Sequence, residues 1–213
     1  MTVISLKREN LQQDGAVTVE FSDGSSLSFL IDYLPETVLV DQGENSVLFQ
    51  AGHELSAGEE EAFRFAAACY RAEVSALRLI ARAEQSSWAL IAKLKQRRFS
   101  SGVAKTVVFR LLDRNLLDDG RYAEHWIRSR LVSRKAPSPQ LLLAALGKRG
   151  IDRNSSRQAL NNVLDSRTEY ELLLRYLDDV RLPQGKGAFS LRAQLKYAGF
   201  SSQALDRYFE SER

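Results

Sequence analysis

Three stretches of the sequence share one pattern that decides the fold: residues 90–99 (LIAKLKQRRF), 142–151 (LLAALGKRGI) and 191–200 (LRAQLKYAGF). In each stretch two leucines are four residues apart, and a large apolar residue follows five residues later. This spacing places the leucines on one face of an α-helix. Glycine precedes the last apolar residue in two of the stretches, at Gly150 and Gly199, where a helix C-terminus favours it. Arg98 occupies that position in the first stretch.

Each of these short basic helices is predicted to lie between a leading helix and a third, amphipathic helix. The offsets between successive stretches are 52 and 49 residues, and a repeat of this length with three helices is typical of a tandem array. The predicted fold class is therefore mainly α: an elongated tandem array of three three-helix repeats with a small N-terminal β segment. The predicted parts are residues 1–55 (an acidic β segment), 56–117 (a first repeat with a long leading helix), 118–165 (a second repeat) and 166–213 (a third repeat).

The β segment is predicted from alternating apolar and polar residues around turns. Residues 16–21 and 27–31 flank an Asp-Gly turn at Gly24, which favours a hairpin because glycine accepts a positive φ. A second hairpin is predicted from residues 38–40 and 47–49. A sheet of this size buries little apolar surface, so we expect it to pack against a helix. Ser56 and Glu59 form a capping-box pattern, which indicates the start of the long helix.

Charge is distributed unevenly along the chain, although the net charge is only +3. Residues 1–62 carry 2 basic and 12 acidic residues, whereas residues 63–153 carry 19 basic and 7 acidic residues. Such a middle part can approach nucleic-acid phosphates, and the acidic part cannot do so readily. The alternative is that the two parts partly neutralise each other within the fold.

Few residues are suited to catalysis or metal binding. His53 and His125 are far apart and have no carboxylates at metal-ligand spacing. Cys69, the only cysteine, lies in a predicted amphipathic helix and is expected to be buried and inert. We therefore predict a protein that is not an enzyme and has no cofactor and no metal site. No apolar run reaches the length of a membrane span or a signal peptide, so a cytoplasmic protein without a membrane partner is expected.

The basic residues are the strongest chemical signal, because no acidic residue lies between Glu84 and Asp113 while Arg110 and several other basic residues do. Phosphate neutralisation requires such a set of cations and gives sequence-independent, salt-sensitive binding. An acidic protein surface would suit the same cations, and a solvated helix face is the simplest alternative. The predicted binding residues are Lys93, Lys95, Arg97, Arg98, Lys105, Arg121, Arg128, Arg130, Arg134, Lys135, Lys148 and Arg149.

Three aromatic residues lie among these cations and have two interpretations. Trp88, Tyr122 and Trp126 have ring faces on which nucleic-acid bases can stack. Tyr122 and Trp126 are four residues apart on an amphipathic helix, and this spacing favours packing in the core for both of them.

The stretch Leu116–Ala123 (LLDDGRYA), followed by Trp126–Leu131 (WIRSRL), resembles the central signature of the RecX family of recombinase regulators. Residues 76–82, 94–99 and 146–151 also resemble helices of that family, and the similarity covers most of the chain. Arg98 and Asn115 stand where the family usually has glycine. Asparagine tolerates a positive φ, so we expect the turn at Asn115 to be preserved. Two further departures are the prolines Pro137 and Pro139, in place of a glycine-rich approach, and a divergent third repeat.

The resemblance implies a cytoplasmic, non-enzymatic modulator of the RecA recombinase. It implies that the protein binds the RecA filament and the single- or double-stranded DNA within it, as a monomer, and inhibits RecA in recombination and repair. The acidic β segment would then face basic patches on RecA or cover the protein's own basic residues. The alternative is a general nucleic-acid-binding helical-repeat protein without a RecA partner.

Overall fold

The computed structural model of the protein describes residues 2–8, 16–35, 40–42, 45–47, 52–179 and 188–211. The chain forms two compact units: the first contains Met1–Ala83 and Leu90–Arg114, and the second contains Glu84–Ala89 and Asn115–Arg213. The described residues contain nine α-helices and two small antiparallel sheets. These elements confirm the predicted mainly α fold with a small β segment. The repeat count, the repeat boundaries and the elongated shape stay predictions.

The strands and helices follow the predicted order. The strands are β1 (Val3–Arg8), β2 (Val17–Phe21), β3 (Ser26–Phe29), β4 (Val40–Gln42) and β5 (Asn45–Val47), with a 3-10 helix at Ile31–Tyr33. The helices are α1 (Ala57–Ile80), α2 (Ser87–Gln96), α3 (Ser101–Asp113), α4 (Asp119–Leu131), α5 (Pro139–Gly147), α6 (Arg153–Val163), α7 (Ser166–Asp179), α8 (Ala188–Tyr197) and α9 (Ser202–Ser211). The predicted loop at residues 181–187 lies outside the described residues.

The larger sheet has three strands in the order β1-β2-β3. The predicted hairpin is confirmed as β2 and β3, with Gly24 in its turn at a φ of 78°. Strand β1 was not predicted. Its pairing with β2 shifts register between Val3 and Ser5, and such an irregularity interrupts the alternation by which a strand is recognised in sequence.

The second hairpin is present, with both strands shifted toward the turn. Val40 pairs with Val47, and Gln42 pairs with Asn45, so the strands occupy residues that were predicted as the turn. Residues 38–39 and 48–49 of the predicted strands lie outside the described residues.

The sheet packs against α1, as expected for a sheet with little core of its own. Phe63 of α1 is fully buried and makes edge-to-face contacts with Phe21 and Phe29, at centroid distances of 6.4 and 5.1 Å. The predicted capping box opens this helix: Ser56 and Glu59 each accept a hydrogen bond from the other's backbone N–H. The β segment is therefore part of the folded core of the first unit rather than a separate appendage.

The second unit contains two apolar clusters. The helices α4, α5 and α6 bury Ala123, Ile127, Leu142, Leu146, Ile151 and Ala159. The helices α7, α8 and α9 bury Leu172, Leu173, Leu195, Phe200, Ala204 and Leu205, together with Ala136 from the preceding loop. In the second and third quoted stretches the second leucine and the last apolar residue lie in these clusters, which confirms their predicted role in packing.

The three short helices end in the same left-handed turn. Arg98, Gly150 and Gly199 have positive φ angles of 68°, 80° and 95°. In each turn the next residue donates its N–H across the turn over 3.2 Å: Phe99 to the Leu94 carbonyl, Ile151 to the Leu146 carbonyl and Phe200 to the Leu195 carbonyl. This hydrogen bond defines a Schellman helix end, for which glycine is the favoured residue. Arg98 adopts the same backbone conformation without being glycine.

Close packing explains why two of these turns carry glycine. A Cβ atom on Gly150 would lie 2.3 Å from Cβ of Trp88, and a Cβ atom on Gly199 would lie 3.0 Å from the backbone nitrogen of Gln140. Arg98 is exposed. The left-handed conformation still costs a residue with a Cβ atom roughly 1 kcal/mol. Asn115 also has a positive φ, 56°, as expected for its turn.

We predict that Arg98→Gly stabilises the first unit, because glycine adopts a positive φ without steric strain. The expected gain is about 1 kcal/mol, or an increase in melting temperature of roughly 2–4 °C measured by calorimetry. Arg98→Ala is the control, since alanine removes the guanidinium but keeps the strained Cβ. A melting temperature of Arg98→Gly at or below that of the wild type would contradict this interpretation.

Candidate nucleic-acid interface

The Leu-Asp-Asp signature has a structural role in the second unit. Leu117 is fully buried, and the Asp118 carboxylate caps α4 by accepting a hydrogen bond of 2.9 Å from the Arg121 N–H. The Asp119 carboxylate accepts two hydrogen bonds from Ser87, from its N–H at 2.7 Å and from its hydroxyl at 2.5 Å. The signature therefore attaches the start of α2 to the start of α4 and leaves the binding chemistry to other residues.

The twelve predicted binding residues are divided between the two units. The first unit contains Lys93, Lys95, Arg97, Arg98 and Lys105. The second unit contains Arg121, Arg128, Arg130, Arg134, Lys135, Lys148 and Arg149. Each unit therefore carries its own group of predicted cations.

Half of the predicted cations are fully available to a partner. Their side chains are exposed, and within the described residues they make no hydrogen bond, ion pair or cation–π contact. The six are Lys95, Arg98, Lys105, Arg134, Lys135 and Lys148. Exposed ammonium and guanidinium groups without an internal acid can pair with phosphates or with an acidic protein surface.

Three of the predicted arginines are partly engaged within the protein. Arg97 donates a hydrogen bond to the hydroxyl of Ser75. Arg121 pairs with Glu84 at 2.8 Å, and Arg128 pairs with Glu124 at 3.0 Å. A hydrogen bond from Asn162, and then the pairing with Arg128, holds the pKa of Glu124 below its ordinary value. These ion pairs are exposed and weak, but they reduce the charge that Arg121 and Arg128 offer to a partner.

The structure brings Arg130 and Arg149 together on one aromatic ring. Their Cζ atoms lie 5.2 and 4.4 Å from the ring centroid of Trp126. Trp126 is half-buried against the apolar cluster of α4, α5 and α6, as is Tyr122. The packing interpretation of both residues is therefore confirmed, and Trp126 also positions two guanidiniums by cation–π contact.

Arg110 belongs to the acid-free segment of the sequence but is occupied inside the first unit. It pairs with Asp32 of the 3-10 helix, its Nε lies 3.3 Å from the Glu73 carboxylate, and its Cζ lies 5.3 Å from the Tyr33 ring. Burial and a hydrogen bond donated to Glu73 raise the pKa of Tyr33. Arg110 therefore neutralises acids of its own fold. Its pairing with Asp32 is an example of the alternative interpretation, in which the acidic and basic parts of the chain partly neutralise each other.

We predict that Arg110→Met destabilises the first unit by roughly 3 kcal/mol, because it leaves the buried carboxylate of Glu73 without its cation. Chemical denaturation measures the loss. Lys105→Met, on the same helix at an exposed site, is the control and changes stability by less than about 0.5 kcal/mol. Arg110→Met combined with Glu73→Gln recovers part of the loss. Wild-type stability of Arg110→Met alone would show that this cluster does not hold the unit together.

Two arginines that the sequence interpretation did not select line a cavity in the second unit. Arg153 and Arg157 are one helical turn apart on α6, both are exposed, and neither has a partner among the described residues. They face a cavity of about 400 Å³ whose other lining residues are Gln140, Leu143, Gly147, Ile151 and Ser156. Their spacing of four residues was the available signal, but the selection of basic residues ended at Arg149.

The residues considered for catalysis do not assemble into a site. The described residues contain no group of three or more His, Cys, Asp or Glu that could hold a metal ion. His53 lies 3.5 Å from the Glu59 carboxylate. Within the same ranges, every helix is too short or too polar to cross a bilayer.

Cys69 is completely buried, as predicted. Burial, with a smaller contribution from the charge of Glu73, raises the pKa of its thiol to about 12. The thiol therefore stays protonated at pH 8, and the protonated form is a poor nucleophile.

We predict that a thiol reagent at pH 8 does not modify native Cys69 on the timescale on which it modifies a free thiol. The reaction should become complete in denaturant, which serves as the control for reagent activity. Absorbance of the released chromophore measures both rates. Rapid modification of the folded protein would show that the thiol is accessible.

Proteins related to this chain in sequence share one name. Regulatory protein RecX of Treponema pallidum is 37% identical over 143 residues, which cover 67% of this chain and 86% of that protein. Regulatory protein RecX of Syntrophotalea carbinolica is 30% identical over 145 residues, which cover 65% and 94%. No family model matches the chain.

Two solved structures resemble the fold. A crystal structure of regulatory protein RecX aligns with a TM-score of 0.61 at 17% identity and covers 96% of this chain and 97% of that chain. The structure of RecX from Lactobacillus salivarius aligns with a TM-score of 0.50 at 21% identity and covers 68% and 96%. These structural similarities establish likeness of fold.

Proposed function

The chain belongs to the RecX family of regulatory proteins, and from this premise we propose that it binds the RecA filament, including the DNA within it, and inhibits RecA. The family name implies a role in modulating RecA. The observation that carries the rest of the proposal is the set of six exposed cations without internal partners: Lys95, Arg98, Lys105, Arg134, Lys135 and Lys148.

The proposed mechanism is electrostatic binding without chemical transformation. Exposed lysines and arginines displace counterions from DNA phosphates, and this gives sequence-independent affinity that falls as salt is added. A protein filament on DNA offers both phosphates and protein surface, and each unit of the chain carries cations that can contact them. Contacts of this kind compete with subunit addition or with the segments that RecA uses in strand exchange, and RecA activity decreases.

In this proposal the protein works as a monomer in the cytoplasm and catalyses no reaction. The relatives are named regulatory proteins, which supports a role in binding rather than in catalysis. A single chain suffices, because both units already carry predicted cations.

We predict that the triple variant Lys95→Gln, Arg98→Gln and Lys105→Gln inhibits RecA ATP turnover less strongly than the wild type. The variant removes three exposed charges from the first unit without breaking an ion pair of the described fold. The slope of the logarithm of DNA affinity against the logarithm of salt concentration should decrease by about 3. A RecA ATPase titration and a salt series of DNA-binding isotherms measure the two effects.

The matched control changes three other cations of the first unit: Arg71→Gln, Arg78→Gln and Arg82→Gln. These residues are also exposed and have no partner among the described residues. The control should retain inhibition and the wild-type salt slope. Equal behaviour of the two triple variants would exclude the predicted cations of the first unit from the mechanism.

A comparison of naked DNA with RecA-coated DNA separates the proposal from general nucleic-acid binding. The proposal requires tighter binding to the RecA filament than to the same DNA alone. Equal affinity for both would favour the nucleic-acid-binding protein without a RecA partner.

A further inference from the structure

Both tryptophans of the chain lie beside the C-terminal turn of α5. Trp88, near the start of α2, packs closely on Gly150. A Cβ atom added to Gly150 would lie 2.3 Å from the Cβ atom of Trp88. Trp126 of α4 lies 4.4 Å from the Arg149 guanidinium. All four residues belong to the second unit. Two large aromatic rings therefore flank a turn that contains cations.

Hydrogen bonds fix the start of α2 against this turn. The Ser86 hydroxyl donates a hydrogen bond to the Arg149 carbonyl at 3.0 Å and accepts one from the Ala89 N–H at 3.2 Å. It therefore both caps α2 and attaches it to the turn after α5. Ser87 is held by Asp119 on its other side. The backbone on either side of Trp88 is therefore anchored, and its indole is presented from a rigid element.

The two tryptophans differ in what their rings contact. Trp126 is half-buried, and its ring contacts Arg130 and Arg149. Trp88 has 57% of its surface exposed and, within the described residues, has no aromatic or cation–π partner. Packing on Gly150 involves the Cβ, Cγ and Cδ1 atoms of Trp88, and more than half of the residue's surface is left to solvent. Trp126 therefore has cation partners within the fold, whereas Trp88 has none and is largely exposed.

A free cation accompanies the free ring. Lys148 is exposed, has no partner among the described residues and lies two residues before Gly150, on which Trp88 packs. Arg149 is instead occupied by the Ala145 carbonyl at 2.8 Å and by Trp126. A rigid aromatic platform near a free cation is the combination by which proteins hold single strands, since bases stack on the ring and phosphates meet the cation.

We propose that Trp88 stacks on an unpaired base of single-stranded DNA while Lys148 contacts a neighbouring phosphate. This inference rests on the proposed function and adds the form of DNA and the side chain that recognises it. Bases in a duplex already stack on each other and leave no free face for Trp88. The site therefore discriminates single strands from duplexes, which the exposed cations alone cannot do.

Fluorescence tests the stacking directly, because the chain has two tryptophans that can be separated. In Trp126→Phe the remaining emission comes from Trp88, and addition of a thymidine oligonucleotide should quench a large part of it. In Trp88→Phe the emission comes from Trp126, and the same oligonucleotide should leave it almost unchanged. Equal quenching in the two variants, or no quenching in Trp126→Phe, would overturn the inference.

Affinity measurements supply a second and independent readout. Trp88→Leu keeps an apolar contact for Gly150 but has no aromatic face, so affinity for the oligonucleotide should fall roughly tenfold, the effect of losing one stacked base. Affinity for a duplex of the same length should be unchanged. Lys148→Gln should weaken binding to both forms and reduce the salt slope by about 1. Trp88→Phe keeps a smaller ring and should give an intermediate loss, with the same melting temperature as the wild type.

The outcomes separate this inference from the proposed function. Wild-type affinity of Trp88→Leu for single strands, or an equal loss for single strands and duplexes, would overturn the stacking role and leave the proposed function intact. Failure of the wild-type protein to bind either form of DNA would overturn both.

Discussion

The left-handed turn that ends each of the three short helices is the constraint on which the rest of the structure depends. It returns the chain sharply after α2, α5 and α8, and it directs Phe99, Ile151 and Phe200 back toward the helices they follow. A positive φ favours glycine, and two of these turns contain Gly150 and Gly199. The absence of a side chain also lets Trp88 pack against Gly150 and Gln140 pack against Gly199. The turn after α2 contains Arg98, whose backbone is strained by its positive φ and whose guanidinium is exposed.

The basic residues of this protein fall into two groups: some pair with acids inside the fold, and others are exposed without an internal partner. Arg110 is held among Asp32, Glu73 and Tyr33, and joins the β segment to the helices of the first unit. The β segment is also fixed by the packing of its phenylalanines on Phe63. Removing it would expose that core, so its acidic residues are better studied by substitution than by deletion. The proposal assigns the six predicted cations without internal partners, rather than every exposed cation, to the filament or to DNA.

The sequence predicted the elements whose cause is local. Leucine spacing, the Ser56–Glu59 capping box and the Asp-Gly turn each act within a few residues, and the corresponding helices and hairpin are confirmed. Strand β1 was missed because its irregular pairing interrupts the alternation. The partners of Arg110 and of Arg121 are 37 to 78 residues away in sequence, so no local pattern separates these paired cations from free ones. The packing of Trp88 on Gly150 likewise joins residues that are more than 60 positions apart in the sequence.

Lysine footprinting on the RecA filament tests the central claim most directly, because it reports each of the four free lysines separately. The protein is acetylated alone and on RecA-coated DNA, and each site is quantified by mass spectrometry. The account predicts protection of Lys95, Lys105, Lys135 and Lys148 on the filament, while Lys196, exposed on α8 and outside the predicted set, keeps its reactivity. Unchanged reactivity of those four lysines, or equal protection of Lys196, would contradict it.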